Sequence, residues 1–168
     1  MSYMLSLLVY AIFIGVTATL FMDLYALFNR KVFKIPSLNY AFLGRWIGHF
    51  KNGVFSHNTI VQAQPISGEK AIGWGAHYLI GVTFAFVLLV ICGVDWVNHP
   101  TLIPALLVGI LTTVAPYFMM QPAFGFGVAA SKTPNPKVAR MRSLATHTIY
   151  GIGLYLGGML FHFLFVVN

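Results

Sequence analysis

The stretch MLSLLVYAIFIGVTATLFMDLYALF, residues 4–28, decides the fold. It carries one formally charged side chain, Asp23, and is followed at once by Arg30, Lys31 and Lys34. A helix needs about 20 apolar residues to cross a hydrocarbon core, and this run is long enough. Comparable runs recur near 71–93, 101–121 and 143–167. Only 8% of the chain is charged and 58% is hydrophobic, whereas soluble domains carry about 25% charged residues. So few charges cannot cover a globule in water. The expected fold is an all-α integral membrane protein, a four-transmembrane-helix bundle forming a single four-span domain over residues 1–168.

The basic residues orient the bundle. Arg30, Lys31, Lys34, Arg45, Lys51 and Lys70 lie between the first two runs, and Lys132, Lys137, Arg140 and Arg142 between the last two. Basic residues beside membrane spans stay on the cytoplasmic side. Loops 29–70 and 122–142 are therefore expected in the cytoplasm, with both termini and the turn 94–100 periplasmic. The net charge of +7 is then a matter of retention and of attraction to anionic lipid headgroups, and no nucleic-acid motif accompanies it. The single cysteine, Cys92, excludes an intramolecular disulfide and a cysteine-based metal centre. The first apolar run lacks a basic n-region and is too long for a cleavable signal.

Within the loops, Leu38 to Phe50 mixes Tyr40, Phe42, Leu43, Trp46 and Ile47 with Arg45 and His49. That mixture predicts a short interfacial helix in the headgroup region, either a brace or a lid. Asn135 before Pro136 predicts an N-cap with proline at the first helical position, so the last helix begins near 136. Pro116 predicts a kink whose freed carbonyl Thr112 or Thr113 would help satisfy. Gly15 with Thr19 is echoed by Gly109 with Thr113, and His77-x3-Gly81 by His147-x3-Gly151. The echo suggests a two-hairpin repeat, 1–93 and 101–168, of the kind some transporters use.

Residues four apart share a helix face. Ala11, Gly15, Thr19 and Asp23 form one such stripe, Gly73, His77, Gly81 and Ala85 a second, and Ser143, His147 and Gly151 a third. Small residues let membrane helices approach closely. From the expected topology, Asp23, His77, His147 and Gln121 fall at one level in the cytoplasmic half, with Arg45 and Arg142 at the rim and Glu69 at the mouth of the second span. A charge inside a span is costly unless paired or hydrated. One reading is a ligand or proton site, since an imidazole beside a carboxylate titrates near neutrality. The other is interhelical glue.

At the level of motifs, the chain shows Gly44-Arg45-Trp46, Gly68-Glu69 leading to Gly73-Trp74 and His77-Tyr78, then Gln121-Pro122-Ala123-Phe124-Gly125-Phe126-Gly127, Ser131-Lys132-Thr133-Pro134, and Arg142-Ser143-Leu144 with His147 and Tyr150-Gly151. In these stretches it resembles domain-of-unknown-function family 2938, a set of uncharacterised bacterial integral membrane proteins. The resemblance implies a bacterial inner-membrane protein of about four spans and supplies no activity or catalytic residue.

Three function classes follow. The first is a small proton-linked transporter or channel-like protein, a homo-oligomer because four helices enclose little volume, with an unidentified ion or small molecule as ligand. The second is a structural or accessory membrane protein. The third is a redox protein holding haem or quinone at His77 and His147, or a divalent metal at Asp23, His77 and His147. No cofactor is required by the sequence. No serine-histidine-aspartate set, phosphate-binding glycine loop or HExxH pattern is present, so no catalytic residue is assigned. Membrane lipid is the one partner that the composition demands.

Overall fold

The computed structural model describes residues 2–167 and contains helices but no strand among the described residues. The helices are α1 (Tyr3–Val32), α2 (Tyr40–His49), α3 (Glu69–Cys92), α4 (Leu102–Leu111), α5 (Gln121–Ala123) and α6 (Pro136–Phe165). Four stretches are long and apolar enough to cross a membrane: Tyr3–Val32, Glu69–Cys92, Leu102–Ala123 and Pro136–Phe165. They coincide with the four runs read from the sequence.

Local chemistry sets the ends. The Ser2 hydroxyl accepts the Leu5 N–H and caps α1, while Arg30 and Lys31 occupy its last turn, where cations favour the helix dipole. Asn39 caps α2 by accepting the Ala41 N–H at 3.1 Å. Asn135 and Pro136 open α6, and the Asn135 carbonyl accepts the first intrahelical bond from the Ala139 N–H at 3.0 Å.

The third span breaks at the expected proline. After α4 the backbone turns at Thr112 and Thr113, then adopts a π turn over Pro116–Met120 before α5. Pro116 has no N–H to continue the ladder, and its carbonyl accepts the Gln121 N–H in the wider register. The Thr113 carbonyl accepts from the Tyr117 backbone at 3.1 Å. The Thr112 hydroxyl serves a different carbonyl than a proline kink suggests: it donates to Gly109 at 2.6 Å.

The chain forms two compact units. The first comprises residues 1–36, 78–112 and 145–168. Its core holds Leu7, Ala11, Ile14, Ala18, Leu88, Leu89, Val97, Ala105, Tyr150 and Leu154. Close approach is set by glycine. A Cβ on Gly15 would meet Val82 Cα at 2.5 Å, and one on Gly109 would overlap the Gly151 backbone. Gly153 lies against Ala18, and Gly157 against Ile14. These pairings run in opposite directions along α1 and α6, and along α4 and α6. The first and last apolar segments meet at one end, where Tyr10 and Phe13 pack against Phe161. Leu5, Ile12, Leu20, Ile91, Ile103, Leu107 and Phe163 remain exposed. So much apolar surface suits contact with lipid tails.

The second unit comprises residues 37–77 and 113–144. Its small core is Leu43, Ile60 and Phe124, flanked by Trp46, Ile47 and Phe126. The His57 N–H donates to the Ala123 carbonyl at 2.8 Å and the Ile60 N–H to Phe124 at 2.9 Å, so residues 57–60 and 123–125 are stitched together. None of the ten residues of α2 is exposed. α2 is packed into its unit.

Candidate functional site

Two of the candidate residues meet directly. Arg45, on α2, and Glu69, the first residue of α3, form a two-pronged ion pair, with Nε to Oε2 and Nη2 to Oε1 both at 2.9 Å. Arg45 Nη1 faces the carbonyls of Ile60, Val61 and Ala63 at 3.1, 3.4 and 3.0 Å. Glu69 Oε2 also accepts the Ile66 N–H at 3.2 Å. The side chains are 9% and 16% exposed. The hydrogen bond to Glu69 raises the Arg45 pKa above its usual value, against the effect of burial. The other nine basic residues are exposed, so Arg45 differs from them in kind. It is the fastening of the second unit, held with its fork fully engaged.

Sequence stretches that looked unrelated come together around this pair. A Cβ on Gly44 would overlap the Glu69 carbonyl, and one on Gly73 would overlap the Tyr40 carbonyl. Helices α2 and the start of α3 therefore touch backbone to backbone. Beside that crossing, the buried His77 ring stacks on Tyr40 with centroids 4.0 Å apart and planes 24° apart. Trp74 completes the aromatic group, 4.7 Å from Tyr40.

In the first unit, Asp23 sits half-buried on α1 and its Oδ2 accepts the Tyr78 hydroxyl at 3.0 Å. Tyr78 was quoted only within the His77-Tyr78 motif and not as a site candidate. A tyrosine in an otherwise apolar span, next to His77, was the signal. His147 pairs with Thr112, Nδ1 to Oγ1 at 2.8 Å. The Thr112 proton already goes to the Gly109 carbonyl. With that proton placed, an Nδ1–H of the imidazole donates to the Thr112 oxygen. Nearby, the Tyr150 hydroxyl donates to the Gly81 carbonyl at 2.6 Å.

Of the set expected at one level, Asp23 and His147 belong to the first unit, and His77 and Gln121 to the second. Gln121 keeps a buried Oε1 with no hydrogen-bond partner among the described residues. Arg142 is exposed. Among the described residues, no group of three or more His, Cys, Asp or Glu side chains is arranged to hold a metal ion.

No curated protein and no solved structure matches the chain. A family model does. It spans residues 12–161, which include α2, the Arg45–Glu69 pair, the Asp23–Tyr78 bond and most of all four apolar stretches. The chain belongs to that family, described as protein of unknown function (DUF2938).

Proposed function

We propose that this protein crosses a bacterial inner membrane four times, with both termini periplasmic, and acts as a small proton-linked transporter or channel-like protein built from more than one copy. The observation that supports this reading is Asp23. It is a carboxylate within an apolar span, left half-accessible and bonded by Tyr78 at 3.0 Å. A charge at the centre of a span costs about 2.5–3.5 kcal/mol on insertion scales. Water, a permeating ion or a second subunit is a better neighbour for it than lipid. The Tyr78 hydroxyl can donate to Asp23 in either protonation state, so a proton can bind and leave while the contact persists.

Asp23→Asn tests this. The amide oxygen still accepts from Tyr78, and the side chain no longer titrates. In liposomes carrying an internal pH dye, the wild type is expected to dissipate an imposed pH gradient. The variant is expected to lose that flux at least about tenfold with unchanged folded yield. Equal flux in the two proteins would sink the proposal.

A second reading has its own support. The Asp23–Tyr78 and Thr112–His147 contacts are direct side-chain bonds, as interhelical glue requires. In an accessory protein, Asp23→Ala and Tyr78→Phe would each lower the melting temperature, and the wild type would show no flux. The description of the family carries no redox function.

A further inference from the structure

Residues 50–57 leave α2 and return to it. A 3₁₀ turn over Phe50–Asn52 ends at Gly53, whose φ of 72° carries the chain around. That left-handed conformation suits glycine. The returning strand is pinned at three points. The Val54 N–H donates to the His49 carbonyl at 3.3 Å. The Trp46 indole N–H donates to the Phe55 carbonyl at 2.8 Å. The Phe55 ring also packs on Phe50, with centroids 5.1 Å apart. His57 is then fixed by its backbone bond to Ala123. The result is that the imidazole at the end of α2 and one from the following loop face each other, His49 Nδ1 to His57 Nε2 at 3.3 Å.

We propose that His49 and His57 form a two-ligand site for a divalent late transition metal such as Zn²⁺. Zinc–imidazole bonds of 2.0–2.1 Å at a tetrahedral angle place the two nitrogens about 3.3 Å apart, which is the separation found. The rings are also bent off the line joining the two nitrogens. At this nitrogen separation a straight N–H···N bond would hold the centroids about 5.6 Å apart. The observed distance is 4.9 Å, with planes at 50°. A shared tetrahedral metal corresponds to about 5.2 Å.

The nearby Arg45 is itself paired with Glu69. Two protein ligands fall short of the three or four of a tight zinc centre. Solvent would complete the shell, and binding is weaker than at such a centre. The site is distinct from the Asp23, His77 and His147 set, and it does not depend on the transport reading.

Calorimetric titration of ZnCl₂ into the full-length protein in detergent at neutral pH tests the proposal. The wild type is expected to bind Zn²⁺, and His49→Gln and His57→Gln are each expected to weaken binding at least about tenfold. His57→Cys restores a ligand and is expected to restore binding, which separates loss of a ligand from loss of fold. His99→Gln/His162→Gln removes the other histidine neighbours, whose rings lie 6.3 Å apart, and is expected to leave this affinity unchanged. No uptake by the wild type at about millimolar Zn²⁺, or wild-type affinity in either glutamine variant, would overturn it. So would a folded His57→Cys protein that binds no better than His57→Gln.

Discussion

Arg45→Ala is expected to destabilise the second unit by about 3–5 kcal/mol, the range for breaking one side of a buried ion pair. The loss has three sources. Glu69, 16% exposed, is left without its counter-charge. The carbonyls of Ile60, Val61 and Ala63 lose their common donor. The guanidinium also lies over the Phe42 ring, 5.4 Å from its centroid, and that contact goes too. Glu69→Ala should cost a similar amount, because a buried guanidinium is no easier to leave unpaired. The double variant should cost less than the sum, since each single change already strands the other partner. Arg45→Lys is expected to fall well short of rescue: an ammonium cannot span both carboxylate oxygens and three carbonyls. Denaturant titration in detergent, followed by tryptophan fluorescence, measures all four. Trp46 is bonded to Phe55 within the same unit and reports on its integrity. Additive single costs would show that the two residues act independently.

The next largest effect is expected at Gly44 and Gly73. A methyl group at either would overlap a backbone carbonyl, Glu69 from Gly44 and Tyr40 from Gly73. Overpacking usually costs about 1–3 kcal/mol. Here the colliding atom belongs to main chain on both sides and cannot rotate away, so about 3 kcal/mol is expected for Gly44→Ala and for Gly73→Ala. Gly75 supplies the control on the same helix. Nothing lies within 4 Å of a Cβ built there. Gly75→Ala should therefore be neutral or stabilising by up to about 1 kcal/mol, the helix-propensity gain. Equal losses at Gly73 and Gly75 would mean that the close α2–α3 crossing is not what requires glycine.

The apolar runs were legible because membrane insertion leaves an unambiguous compositional mark. The Pro136 start and the Pro116 break were legible because proline acts locally. The second unit was largely hidden. Its fastening pairs residues 24 positions apart, and no periodicity in residues 29–70 betrays that they meet. Counting Arg45 with the other cations made it a topology signal and a rim residue, whereas its side chain is buried. The backbone of the Gly125–Ala130 stretch was not legible either. It holds Gly125 and Gly127, with Ala129 and Ala130, at positive φ, and presses against Asn58. Left-handed alanines cost about 1–2 kcal/mol each and occur where packing imposes them, which residue identity does not disclose. Within the spans, stripes of small residues led to Gly15, Gly81 and Gly151, where helices approach closely. Asp23 and His147 each meet a hydroxyl, that of Tyr78 and that of Thr112, and hydroxyl partners leave no charge pattern in the sequence.

The proposal that Asp23 exchanges protons inside the membrane has a direct spectroscopic test. The chain has only three acidic side chains, so its carboxyl absorption is sparse. Infrared difference spectra of the lipid-reconstituted protein, recorded from about pH 4 to about pH 9, should contain a reversible carboxyl band that Asp23→Asn removes. Superimposable pH-difference spectra from wild type and Asp23→Asn would show that Asp23 keeps one protonation state throughout, and would contradict the account.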